Sequence, residues 1–213
     1  MKKKVPLCVA IAGGSGSGKS TVVRELCKRF SQFHPVVIHQ DNYYRDLSHL
    51  TPDQRNQVNF DHPEAFDFNL MHEQIVALSK GEAVVCPHYD YATHTRKKEG
   101  FTIEPKELIF FDGIFALHFY QLLPLFPIRI FVAASPDLRL ARRLLRDVGE
   151  RQRSVKSILD QYLASVRPMH QLFVEITKQN ATHCLTWEQW DEEALNNLSS
   201  VISKGLSQDP VEV

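Results

Sequence analysis

Gly13-Gly14-Ser15-Gly16-Ser17-Gly18-Lys19-Ser20-Thr21 fits the pattern G-x-x-x-x-G-K-[ST] of a phosphate-binding loop. Glycines let the backbone turn tightly and aim successive N–H groups at phosphate oxygens. Lys19 supplies a point charge for the β- and γ-phosphates, and the Ser20 hydroxyl is a hard oxygen ligand for Mg²⁺. The neighbours give the loop its context. Val5 to Ala12 is almost wholly apolar, as a strand buried on both faces of a parallel sheet should be. Beyond the loop, Val22, Val23, Leu26, Cys27 and Phe30 recur at helical spacing. Strand, loop and helix in that order put bound phosphate on a helix N-terminus, where free N–H groups and the dipole favour anions.

One rival reading uses the same residues. Lys2, Lys3 and Lys4 precede an apolar stretch, and Ala10-Ile11-Ala12 resembles a small-residue cleavage site, as in a secretory signal. Cleavage there would remove the strand that presents the loop, so the strand reading is preferred.

The chain of 213 residues has 25 Lys plus Arg and 25 Asp plus Glu, so no global field draws it to nucleic acid or membrane. Its apolar runs are too short to span a bilayer. Four scattered cysteines without a C-x-x-C pair read as core residues in a reducing compartment. The expectation is a single cytoplasmic domain over residues 1–213, with little to anchor the tail from Gly205.

Strands are expected at Val36–His39, Leu108–Phe111, Ile128–Ala133 and near Thr182–Leu185. Ala83–Tyr91 and Phe101–Ile103 read as a hairpin turning at Lys97-Lys98-Glu99-Gly100. Pro63-Glu64 reads as the start of a helix continued by Met71, Ile75 and Leu78, and Ser135-Pro136-Asp137 as another start. Val155, Ile158, Leu159, Tyr162, Leu163 and Val166 mark one face of a helix, and a last helix falls near Glu188–Ser203. Alternating strands and helices imply an α/β fold with a mostly parallel sheet, whose ligands bind beyond the strands' carboxyl ends.

Two acids stand at such ends. Asp112, after Leu108-Ile109-Phe110-Phe111, matches the carboxylate that ends a Walker B strand and holds Mg²⁺ directly or through water. Asp41 reads equally as turn chemistry with Asn42 or as a general base for an attacking hydroxyl. Asp61 could cap the helix begun by Pro63 or accept hydrogen bonds from a sugar diol. Six of thirteen arginines lie between Arg139 and Arg153 with only two acids among them, Asp147 and Glu150. The pairs Arg143–Asp147 and Arg146–Glu150 suit a solvated helix face. The excess of arginine and the break at Gly149 suit a phosphoryl-transfer lid, the reading preferred. No Asn-Lys-x-Asp or Asp-x-x-Gly occurs, which points to a small-molecule kinase over a GTPase.

Further motifs join the loop: Gln40-Asp41-Asn42-Tyr43-Tyr44-Arg45, Asn59 to Asp67, Tyr89-Asp90-Tyr91-Ala92-Thr93-His94-Thr95-Arg96, and Arg142 to Lys178. In order and spacing the chain resembles the uridine–cytidine kinases, the bacterial type most of all, from the first strand to about Ala181. The resemblance implies a P-loop kinase fold with a hairpin substrate subregion and an Arg-rich lid. It implies transfer of the γ-phosphoryl group of ATP or GTP to the 5′-hydroxyl of uridine or cytidine. It makes Asp41 the catalytic base, with Lys19 and Arg146 also catalytic. The loop from Gly13 to Thr21 and Arg151 would hold the nucleotide. Tyr44, Asp61, Arg143, Gln161 and Arg153 would hold the nucleoside. Tyr89 and His94 would bond the pyrimidine edge, and Tyr91 would stack on it. Ser20 and Asp112 would serve Mg²⁺. Tetramers and inhibition by CTP or UTP are also implied. The chain departs from the family at Asp112, where Glu is usual, and at Gln152-Arg153-Ser154, where Gly-Arg-Asp is usual. A pantothenate or sugar-phosphate kinase and a non-catalytic nucleotide-binding regulator are the alternatives; the Tyr89–Arg96 segment and Asp41 speak against them.

Overall fold

The computed structural model describes residues 5–207. In chain order the elements are β1 (Leu7–Ala12), α1 (Lys19–Arg29), β2 (Val36–His39), α2 (Pro52–Asn56), α3 (Phe68–Ser79), β3 (Val84–Cys86), β4 (Tyr89–Asp90), β5 (Thr95–Arg96), β6 (Phe101–Ile103) and β7 (Leu108–Asp112). Then follow β8 (Ile128–Ala133), α4 (Pro136–Gly149), α5 (Val155–Gln161), α6 (Arg167–Met169), β9 (His183–Thr186) and α7 (Glu192–Ser207). Five strands form one parallel sheet in the order β2-β7-β1-β8-β9.

The apolar runs explain the sheet. In β1, Cys8, Ala10 and Ala12 enter one core with Met71, Phe115 and Phe126, while Val9 and Ile11 enter a second with Val22, Leu26 and Ile202. A strand with helices on both faces must be apolar at every position, because neither face meets water. β7, buried along its whole length, lies between β1 and β2. Its register sets Asp112 opposite Ile11 on one side and His39 on the other. The phosphate-loop start, Asp41 and Asp112 therefore share one rim of the sheet.

Local departures from expectation have physical causes. The residues after Pro63 make only a short 3₁₀ turn, Pro63–Ala65. Phe66 is then extended and bridges to Tyr44, so α3 cannot begin until Asp67 caps it by accepting from the Leu70 N–H at 3.2 Å. Asp61 is not a helix cap; His62 takes that place on the turn. The hairpin turns at Tyr91–His94 rather than at Lys97–Gly100, because Asp90 accepts from the Ala92 N–H at 2.9 Å and His94 adopts a left-handed φ of 54°. Its base is the separate ladder of β3 and β6. The helix from Val155 continues past Gln161 through two π-helical stretches, Tyr162–Val166 and His170–Val174. At the C-terminal end α7 runs to Ser207 with Leu206 buried, so residues 205–207 are anchored and not a loose tail. The lysines Lys2 to Lys4 and residues 208–213 lie outside the described residues.

Candidate active site

The phosphate loop joins β1 to α1. Gly16 (φ 80°) and Gly18 (φ 96°) hold left-handed backbone, and a Cβ at Gly18 would meet the Trp187 ring. Only glycine tolerates both demands. Lys19 Nζ folds back to donate to the Gly14 carbonyl at 3.2 Å, a bond that incoming phosphate can replace. Burial lowers the Lys19 pKa, while Asp112 and Asp41 oppose that shift. The Ser17 side chain is buried against Gly13 and turned away from the cleft, so of that residue only the backbone is available to phosphate.

One cleft of about 1370 Å³ collects the remaining loop residues except Gly13 and Gly14, together with every other residue named above as a site candidate. Single-ligand pockets usually run to about 300–1,000 Å³, so the cleft has room for two. Asp41 lies on the 3₁₀ turn Gln40–Tyr43 just past β2. Burial and the Asp112 charge push its carboxyl above the ordinary range, against Lys19, His39 and Tyr91. The Asp112 Oδ1 is buried without a hydrogen-bond partner, and its Oδ2 lies 3.5 Å from His39 Nδ1. A buried carboxylate oxygen lacking a donor, on the same rim as the Ser20 hydroxyl, suits a hard cation such as Mg²⁺.

On the other side the cleft is aromatic. Tyr44 stacks on Phe66 at 4.2 Å and donates to the Phe60 carbonyl at 3.2 Å. Tyr89 Oη lies 3.4 Å from His94 Nδ1, and the His94 ring stacks on Phe60 at 4.4 Å. Burial and the Arg55 charge hold the His94 pKa below its usual value. Asp61 Oδ2 accepts from the Ser165 hydroxyl at 2.7 Å, a contact across 104 residues. Phe60 and Ser165 were missed in the sequence. Phe60 lies inside a quoted motif but carries no charge, and nothing local marks Ser165.

The arginine segment is neither a solvated face nor loose. α4 continues through Gly149, and Arg139 and Arg143 are buried on it. Asp147, fully buried, sits within ion-pair distance of Arg143, Arg146, Arg151 and Arg153. Burial alone would raise its pKa; the bond from Arg146 and the surrounding guanidinium charges outweigh burial and lower it. Arg146, expected beside Glu150, bonds Asp147 instead at 2.8 Å. Arg143 donates to Ser15 Oγ and to Gln161 Oε1, both at 2.9 Å, and Arg153 donates to the same Gln161 oxygen at 2.7 Å. The arginine segment is thus tied to the tip of the phosphate loop.

A family model described as the phosphoribulokinase / uridine kinase family matches residues 8–186. A protein of Oceanobacillus iheyensis named uridine kinase is 42% identical over 208 residues, covering 98% of this chain and 99% of that protein. One of Staphylococcus haemolyticus with the same name is 47% identical over 173 residues, 81% of this chain and 84% of that one. Among solved structures, phosphoribulokinase from Rhodobacter spheroides superposes with a TM-score of 0.60 at 12% identity, over 84% of this chain and 68% of that one. The last likeness shows the fold alone. The family model spans the loop, both rim carboxylates, the hairpin and the arginine segment, and the chain belongs to the phosphoribulokinase / uridine kinase family.

Proposed function

We propose that the protein transfers the γ-phosphoryl group of ATP or GTP to the 5′-hydroxyl of uridine and cytidine, giving UMP and CMP. The observation that carries this is one cleft lined at once by the phosphate loop, by the aromatic side chains Tyr44, Phe60, Tyr89 and Tyr91, and by Asp41. The relatives' shared name supports the choice of a nucleoside acceptor.

Asp41 accepts the proton of the 5′-hydroxyl as that oxygen attacks. Asp61, Arg143 and Gln161 bind the ribose with Tyr44, and Tyr89, His94 and Tyr91 read the base. The loop N–H groups and Lys19 hold the donor phosphates, Arg146 and Arg151 stabilise the charge that spreads over the transferring group, and Arg153 serves the nucleoside beside Gln161. Ser20 and Asp112 are the residues that would hold a Mg²⁺ ion, which would supply positive charge to offset that of the donor phosphates. A cytoplasmic homo-tetramer completes the proposal and rests on the family resemblance.

The test is ADP and GDP release across a nucleoside panel. Uridine and cytidine turn over, and purine ribonucleosides are poor acceptors, because unpaired polar groups add discrimination to the misfit of a second ring. His94→Ala affects uridine and cytidine unequally, since the two bases present opposite hydrogen-bond patterns at the pyrimidine 4-position. Efficient use of adenosine counts against the pocket, and equal losses count against the role of His94.

The metal site gives a separate expectation. Asp is one methylene shorter than the Glu usual in the family, and a water fills such a gap at about 0–2 kcal/mol. Asp112→Ala therefore raises the Mg²⁺ needed for half-maximal rate and lowers kcat, whereas Asp112→Glu stays active. A Mg²⁺ titration of both variants decides; an alanine variant that titrates like wild type removes Asp112 from the metal shell.

A further inference from the structure

Stacking on a pyrimidine needs an aromatic ring and no hydroxyl, yet the hydroxyl of Tyr91 is engaged. It donates to Asp41 Oδ2 at 3.4 Å, from a side chain that is otherwise half exposed. The two residues are 50 positions apart and belong to different elements, so the fold builds the contact. Tyr91 follows β4 at the hairpin tip, with its ring edge-on to Tyr89 at 5.4 Å. The tip is held against the segment that carries Asp41. Arg96 on β5 donates from Nε to the Tyr44 carbonyl at 2.9 Å and from Nη1 to Asp67 Oδ2 at 3.1 Å. The Arg96 N–H donates to Asp46 Oδ1 at 3.0 Å, and Arg55 Nη1 donates to the Thr93 carbonyl at 2.9 Å.

We propose that Tyr91 is a positioning residue for Asp41: its hydroxyl engages one carboxylate oxygen and leaves the other for the acceptor's 5′-hydroxyl. The inference rests on reading Asp41 as the general base. It adds that the strand pair reading the nucleobase also orients the group that activates the sugar, so base recognition and chemistry share one side chain.

The surroundings fix the sign of the pH effect. Asp41 faces Lys19 from α1, His39 from β2 and Asp112 from β7, with Tyr44 and Tyr89 beside it; Arg151 of the lid faces Tyr91. Burial and Asp112 favour the protonated acid. Lys19, His39 and the Tyr91 hydroxyl favour the carboxylate. Removing the hydroxyl takes away one stabiliser of the charged form, so the acid limb of kcat/KM moves to higher pH.

Tyr91→Phe keeps the ring and tests the hydroxyl alone. The expected result is a kcat for uridine reduced about 10-fold, the low end for a hydrogen bond to a charged group, as befits its length. Uridine KM stays within about twofold, since the ring still stacks. The acid limb shifts upward, and the same substitution made in Asp41→Asn has no further effect on residual turnover. A raised KM with unchanged kcat, or an unmoved acid limb, overturns the proposal while a slow Asp41→Asn enzyme keeps the base reading. Wild-type kcat in Asp41→Asn overturns both.

Discussion

Lys19→Ala abolishes turnover and leaves the fold in place. Among the described residues Lys19 Nζ makes one hydrogen bond, to the carbonyl of its own loop, and the residue belongs to neither core. Removing one preorganised donor to developing charge costs about 10²–10³ in kcat. Lys19 also carries a full charge, and the charges of Asp112 and Asp41 both favour its protonated form. Without it only His39 and the Tyr91 hydroxyl are left to oppose burial and the Asp112 charge, and Asp41 protonates more readily, so the loss is expected at about 10³ or beyond. A coupled assay measures the rate, and far-UV circular dichroism with thermal melting checks the fold. Wild-type-like activity in a folded variant removes the phosphate-loop assignment.

Asp41→Asn keeps the shape of the side chain and removes the proposed base. General-base removal costs about 10²–10⁴ in rate, or roughly 3–5 kcal/mol. A loose phosphoryl-transfer transition state needs little proton transfer before bond breaking, which puts the loss toward the lower end. Nucleoside affinity changes much less than kcat, because the aromatic pocket and Asp61 are untouched. Steady-state rates and equilibrium uridine binding separate the two effects. An unchanged kcat shows that Asp41 is turn chemistry and no more.

The readable parts of this chain are those whose cause is local. The strand before the loop is visible because both its faces are buried, and β2 and β8 fall where their apolar runs stand. Asp41 and Asp112 could be placed on one rim because parallel strands all present the same end. What the sequence hides is set by partners far away. Asp147 reads as a helix-face partner of Arg143, yet the fold buries it among four arginines. The contact of Ser165 with Asp61 crosses 104 residues and leaves no periodic trace. Turn chemistry at Asp90 and the Tyr44–Phe66 bridge moved the hairpin tip and the start of α3 in ways composition does not show.

The buried carboxylate of Asp147 has a consequence for the arginine segment proposed to meet phosphate. It meets four guanidiniums, with Arg146 at 2.8 Å and the other three at 3.5–3.7 Å. A lone buried ion pair resists opening, because the partner left behind is an uncompensated charge. Were one of the four arginines to turn to a phosphate, three would remain beside Asp147, and the buried carboxylate would keep its charge partners. The arrangement works as a shared mooring: single lines can be cast off in turn while the vessel stays at the quay.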